Sequence, residues 1–371
     1  MDEDHGAGTE ATYETRRARM QAMVACESVD CLPSQLDFVP HRLERLLDEL
    51  QMSYDEFNEF SCNHFFHIFP LTESCYYSSG SEADEAFIKM AVERELIPPH
   101  PDDQYVYDNF GVPWIKNTTG VMYTDHPVKG KDLDAIEWPS PDVPGLFDHL
   151  SDALEQSRDD YYLVGLQHLT VHERSYLLVG YENFMMYMAT DPDFVGELMD
   201  RITDFHVGLA HRFVELGLDA VRTGDDFGTQ LSMQVEPGLW RKLYKPRLAR
   251  MWQVYQDAGV TVMHHSCGCV EPIIPDMIEI GLEVLHPVQP LAMDIEELAR
   301  KYGDKIAFHG GIDTQQLLPF GTPGQIKDAV KHCIDTLGAN GRYVIAPSQE
   351  IMDDVPTENI LALIEAIREY R

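Results

Sequence analysis

Apolar and polar positions run through this chain in two alternating rhythms. From Asp219 onward, strand-sized apolar runs are each followed by a longer amphipathic stretch, the pattern of parallel βα units. The runs DAVRT 219–223, VTVMHH 260–265, LEVLHP 282–287, KIAFHG 305–310 and RYVIAP 342–347 predict strands, and TENILALIEAIREY 357–370, entered through Pro356, predicts the closing helix. Earlier in the chain PSQLDFV 33–39, HFFHIF 64–69 and YYLVGLQH 161–168 also suit strands. Eight strands with helices between them predict an α/β fold, a (β/α)8 TIM barrel over residues 13–371. An open doubly wound sheet has the same periodicity and stays open at this point.

The rhythm breaks between the second and third strands. Roughly Ser78 to Asp160 is too long for a plain crossover and carries two β-like runs, YVYDNFGVPWI and GVMYTDHPV, separated by KNTT and followed by the Pro-rich EWPSPDVPG 137–145. This segment, 78–160, reads as a hairpin insertion capping one mouth of the barrel on the substrate side. Residues 1–12 read as a disordered acidic terminus, and helical spacing begins near Tyr13 with Arg17, Met20, Met23 and Val24.

Charge narrows the function classes. With 63 acidic against 28 basic residues the formal net charge is −35, which repels phosphate backbones and anionic membrane surfaces. Nucleic acid and membranes are therefore excluded as expected partners. The 7 cysteines show no small-scaffold spacing and read as reduced thiols of a cytoplasmic protein, with Cys333 a core residue. The N-terminal stretch has no apolar segment suited to a signal peptide.

In such barrels reactive groups sit at the carboxyl ends of the strands. The residues there are His41 after the first strand, His168 and His172 after the third, Asp225 and Asp226 after the fourth, and His265 and Cys267 after the fifth. Gln289 follows the sixth, Asp313 the seventh, and Ser348, Gln349 and Glu350 the eighth. Adjacent carboxylates in TGDDFGTQ need a donor, cation or metal nearby. The densest stretch is TVMHHSCGCVEP 261–272, where strand alternation turns only one of His264 and His265 inward. His265 and Cys267 can supply two ligands to a zinc ion, and the rest must come from elsewhere. His168, Gln289 and Asp313 are candidate substrate contacts, although lone histidines such as His41, His168 and His172 are more often structural.

Several stretches together resemble the uroporphyrinogen decarboxylase superfamily, whose members include cobalamin-dependent methyltransferases. They are DCLPSQLDFVPHRLERLL, LLVGYENFMMYMATDPDFVGELMDRI, TGDDFGTQLSMQVEPGLWRKLYKPRL, HHSCGCVEPIIPDMIEIGLEVLHPVQP, FHGGIDTQQLLPFGTP and YVIAPSQEIMDDVPTENILAL. The resemblance implies a (β/α)8 barrel and suggests a homodimer. True decarboxylases carry an Arg-rich segment where this chain reads FVPHRLERLLDEL, so a carboxy-lyase activity is the second reading. The methyltransferase branch implies zinc on the HSC motif, here His265 and Cys267, with a third cysteine after the last strand. APSQEI stands in its place, which makes Gln349 or Glu350 the replacement ligand and Asp225 or Asp226 the group that orients substrate or handles a proton. The implied reaction moves a methyl group between a small-molecule donor or acceptor and the cobalt of cobalamin on a partner corrinoid protein. A neutral-amide third ligand favours an ether or similar donor. A third reading is a catalytically silent binding protein that keeps the barrel.

Overall fold

The computed structural model describes residues 13–72, 82–102, 104–115, 122–123 and 125–371. The acidic terminus 1–12, the start of the expected insertion at Ser78 and the KNTT segment lie outside the described residues. Seven strands form one curled parallel sheet: β1 (Phe65–Ile68), β5 (Tyr162–Gln167), β6 (Ala220–Gly224), β7 (Thr261–His265), β8 (Val284–Val288), β9 (Ala307–Ile312) and β10 (Tyr343–Pro347). Each pairs with the next in chain order, as βα connections require. Between β1 and β5, three short strands, β2 (Tyr105–Tyr107), β3 (Pro113–Ile115) and β4 (Met122–Tyr123), make a separate antiparallel sheet.

The expected first strand, 33–39, takes a different form. Ser34 bridges in parallel to both Asn63, beside β1, and Ile345 of β10, and Phe38 bridges to Ile351. Pro33 and Pro40 flank the segment and carry no N–H, so a continuous ladder is denied at both ends. Side-chain amides fill the gaps: Asn63 Oδ1 accepts from the Leu36 amide at 2.8 Å, and Gln35 Oε1 accepts from the Phe65 amide at 3.0 Å. The segment laces the two sheet edges together without being a regular strand.

Strand alternation divides the apolar residues into two sets. Phe65, Tyr162, Val164, Leu166, Ala220, Met263, Val284, Ala307 and Val344 face one another inside the curl, closed below by Met20 and Met23 of the helix Arg16–Val24. The alternate residues, among them Leu163, Val221, Val262, Leu285, Phe308 and Ile345, pack outward against the helices. One step above the inner apolar layer, the inward positions turn polar.

Candidate metal centre

Asp225 and Asp226 leave β6 in opposite directions. The Asp225 carboxylate is buried and accepts from Thr170 Oγ1 at 2.5 Å and from the amides of Val171 at 2.7 Å and Glu173 at 3.0 Å. It therefore serves the amino end of the helix His172–Val179, where free amides favour negative charge, and does not reach the pocket. Burial pushes its pKa up to about 7 against those donors. Asp226 points the other way, into the cavity, where its Oδ1 accepts from the Cys267 amide at 2.9 Å. Burial opposes ionisation of Asp226, but the His265 imidazole holds its pKa below the ordinary value.

The two histidines of β7 split as alternation requires. His264 faces outward, with Nδ1 2.8 Å from Thr223 Oγ1 and its ring stacked 5.8 Å from Phe227. His265 faces inward, its Nε2 3.4 Å from Asp226 Oδ1 and 3.5 Å from Cys267 Sγ. The loop that follows is set by two glycines. A Cβ on Gly228 would lie 2.6 Å from the Cys267 carbonyl oxygen, and Gly268 has φ +81 and the same lack of room against Gly228. Only glycine at these positions lets the β6 and β7 loops approach closely enough to bring Cys267 over Asp226.

One ligand atom each from Asp226, His265 and Cys267 lies within 4.8 Å of the others. Gln289 braces the thiol loop, its Oε1 accepting from the Gly268 amide at 2.7 Å and its Nε2 donating to Cys267 Sγ at 3.4 Å. Gln349 Nε2 donates to the same sulfur at 3.8 Å. Burial, then Asp226 and Glu173, push the Cys267 thiol well above its ordinary pKa. Among the His, Cys, Asp and Glu side chains described, the carboxylate of Asp226 is the third donor that converges with His265 and Cys267, while Gln349 reaches the same sulfur and Glu350 lines the same cavity. Glu350 lies in the field of Asp37 and Arg222, and burial followed by Asp37 raises its carboxyl to about 7.

Asp226, His265, Gln349 and Glu350 line a cavity of about 490 Å³ at the carboxyl ends of the strands, together with His168, Glu173, Arg222, His286, His309 and the aromatic side chains Trp114, Tyr123 and Tyr176. Arg222 Nη1 lies 3.3 Å from Asp37 Oδ2, and although burial works against it, His67 and Arg222 hold the Asp37 carboxyl well below its usual range. Glu173 is raised well above its ordinary value by burial and then by Asp226 and Asp225.

Other expected site residues serve the fold. Asp313 accepts from the amides of Gln315, Gln316 and Leu317 at 2.9 to 3.0 Å and so caps the short helix Leu317–Phe320; it does not line the cavity. Gln289 acts on the thiol loop and is not among the lining residues. His41 meets Asp353 at 3.2 Å, and His172 is buried against Tyr244 Oη at 2.8 Å. His286, His309, Arg222, Asp37 and Glu173 are pocket residues that reading only the strand ends passes over. For three of them the signal is alternation: His286 in EVLHP, His309 in IAFHG and Arg222 in AVRTG each stand two places after an inward apolar residue, whereas Asp37 and Glu173 lie off the strands and carry no such signal.

A curled parallel α/β sheet with a carboxylate, an imidazole and a thiol converging at its strand ends is the architecture of an enzyme with a metal-competent pocket. The chain belongs to the uroporphyrinogen decarboxylase (URO-D) family, whose profile matches residues 109–370. It is 28% identical over 193 residues to a methylcobamide:CoM methyltransferase, MtaA, from Methanosarcina barkeri, a match covering 52% of this chain and 54% of that protein. The match thus spans about half the length of that curated relative. A uroporphyrinogen decarboxylase from Bacillus thuringiensis is 24% identical over 354 residues, covering 92% of this chain and 94% of that one. In three dimensions a methyltransferase from Methanosarcina mazei aligns with TM-score 0.65 and 21% identity over 96% of this chain and 99% of the other, a likeness of fold. Among the described residues no helix is long and apolar enough to cross a membrane.

Proposed function

We propose that this protein is a zinc-dependent methyltransferase moving a methyl group between a methylated small molecule and the corrinoid cobalt of a partner protein in the cytoplasm. The observation that carries the reading is the convergence of Asp226 and His265, which line the cavity, with Cys267 beside them. The donor set fits zinc by its chemistry: imidazole, thiolate and carboxylate are all zinc ligands, and three of them leave a fourth position for substrate. Zinc held there supplies Lewis acidity to the substrate heteroatom from which, or to which, the methyl passes. One thiolate and one carboxylate balance the charge of the ion, a more electron-rich set than an amide from Gln349 would give and like the one the alternative, Glu350, would give.

The chain's own residues do the rest. Gln289 and Gln349 donate to the Cys267 sulfur and so favour its anionic form. Glu173 Oε2 accepts from the Asp226 amide at 3.3 Å and keeps that carboxylate turned inward. Trp114, Tyr123, Tyr176 and Leu177 give the cavity an apolar wall that excludes water, so the segment carrying β3 and β4 acts as a cap over the mouth of a laced (β/α)8 barrel. The carboxy-lyase reading fits the cavity poorly. A polycarboxylate would meet the Asp37 and Asp226 carboxylates there, with Arg222 already paired to Asp37.

The test is metal analysis joined to methyl transfer. Wild-type protein should carry close to one zinc per chain and form methyl-cobalt from cob(I)alamin with one of a panel of methyl ethers, amines and thioethers. Asp226→Asn, His265→Ala and Cys267→Ala should each lose zinc and slow transfer by at least ~100-fold. A metal-free wild type, or a His265→Ala that methylates cobalamin normally, ends the reading.

A further inference from the structure

We propose that His286, on the neighbouring strand, is a positioning residue that selects the metal-binding tautomer of His265; the inference rests on the metal-centre reading above. β7 and β8 pair in parallel with His265 opposite His286. Both side chains turn into the curl, and their Nδ1 atoms are 3.0 Å apart with ring centroids at 4.9 Å. His286 is 6% exposed and also packs against the His309 ring, with centroids 4.4 Å apart and the planes tilted by 52°.

Two neutral imidazole nitrogens at hydrogen-bond distance share one proton, so one must donate and the other accept. The His265 Nε2 atom faces Asp226 Oδ1 and Cys267 Sγ. For Nε2 to offer a lone pair to a cation, the His265 proton must sit on Nδ1, and His286 Nδ1 must accept it with its own proton on Nε2. In the opposite arrangement His286 Nδ1 donates, His265 Nε2 carries its proton towards Asp226, and no cation can enter. Metal-bound histidines usually give their second N–H to a carboxylate or carbonyl. Here an uncharged ring takes that place, adding no negative charge to a cavity already lined by the carboxylates of Asp37 and Asp226.

The experiment measures zinc affinity of the full-length protein by competition with a chromophoric chelator, with the Co(II)-substituted absorption spectrum as a second readout. His286→Phe keeps a ring and removes the acceptor; it should weaken zinc binding about 10- to 100-fold and shift the Co(II) bands. His286→Asn places an amide oxygen near the position of Nδ1 and should restore both affinity and spectrum. His286→Gln, whose amide extends towards the Nε2 position instead, should behave like the Phe variant and stands in for it if that protein does not fold. Equal weakening by Asn and Phe indicates a packing role and overturns the inference, as does a Phe variant with wild-type affinity. A wild type that takes up no zinc overturns the metal-centre reading and this inference with it, an outcome distinct from the other two.

Discussion

Asp225 and Asp226 are neighbours in the chain with opposite tasks, and mutation should separate them. Asp225→Ala leaves the Thr170 hydroxyl and the amides of Val171 and Glu173 facing a void in a buried position. Losing a shared acceptor of this kind costs about 3 kcal/mol, so its thermal midpoint should fall clearly. Asp226→Asn is nearly isosteric and should lose zinc while unfolding close to metal-free wild type, since the zinc-loaded protein is further stabilised by its ligand; a scan of both variants and of metal-stripped wild type beside metal analysis checks the split. Glu350 gives a pH signature. Its folded-state carboxyl, raised from 4.5 to about 7, keeps a proton that the unfolded chain releases, so its contribution to stability is fully present below 4.5 and is lost as pH rises through 7. Glu350→Gln should therefore gain on wild type in urea unfolding as pH goes from 5 to 8; a constant difference across that range would contradict the raised pKa. Much at this scale is legible in sequence. Alternation turns one of His264 and His265 inward and the other outward, whereas the approach of Asp226 to His265 and Cys267 depends on how two loops cross at Gly228 and Gly268. That crossing brings together residues from different βα units, and no local pattern encodes it.

Asp108 clamps the small β2–β4 sheet to the main body. It is fully buried and accepts from the amides of Phe110 and Val112, from Trp114 Nε1 at 3.1 Å, and from Arg174 Nη1 at 2.5 Å. One carboxylate thus ties the β2–β3 turn to the helix His172–Val179, with the Arg174 guanidinium lying 4.3 Å over the Phe110 ring. Breaking a buried ion pair at one partner leaves an uncompensated charge and costs about 3 to 5 kcal/mol. In Asp108→Asn the strands β2 and β3 should become cleavable by protease before global unfolding; a variant with wild-type resistance around residues 105–115 would show that other contacts hold them. The elements themselves follow from period and length. β1 and β5 to β10 coincide with apolar runs of strand size because both of their faces are buried, while 33–39 has the same apolar look but is interrupted by proline and bonded through the side chains of Asn63 and Gln35. An amide side chain replacing a ladder bond leaves no period in the sequence.

Across the whole molecule, the curl is sealed at its lower end by Met20 and Met23, both fully buried against the inward residues of the strands. The outer surface carries the remaining consequence of composition, a net charge of −35. Ion pairs such as Lys245 with Asp276 and Glu279, or Lys301 with Glu271 and Glu297, engage several acids per cation. With 63 acids and 28 basic side chains, such sharing still leaves a surplus of negative charge. Like charges on one compact body repel one another and weaken the folded state relative to the expanded chain. Salt shortens the range of that repulsion from about 10 Å at 0.1 M to about 3 Å at 1 M, and exposed pairs contribute too little to offset the gain when they are screened in turn. The thermal midpoint should therefore rise between about 0.05 M and 0.5 M sodium chloride and then level off, and potassium chloride at the same ionic strength should give the same curve. A midpoint that falls with salt would mean that the ion pairs outweigh the surplus. A rise seen with only one cation would instead point to a specific ion site on the surface.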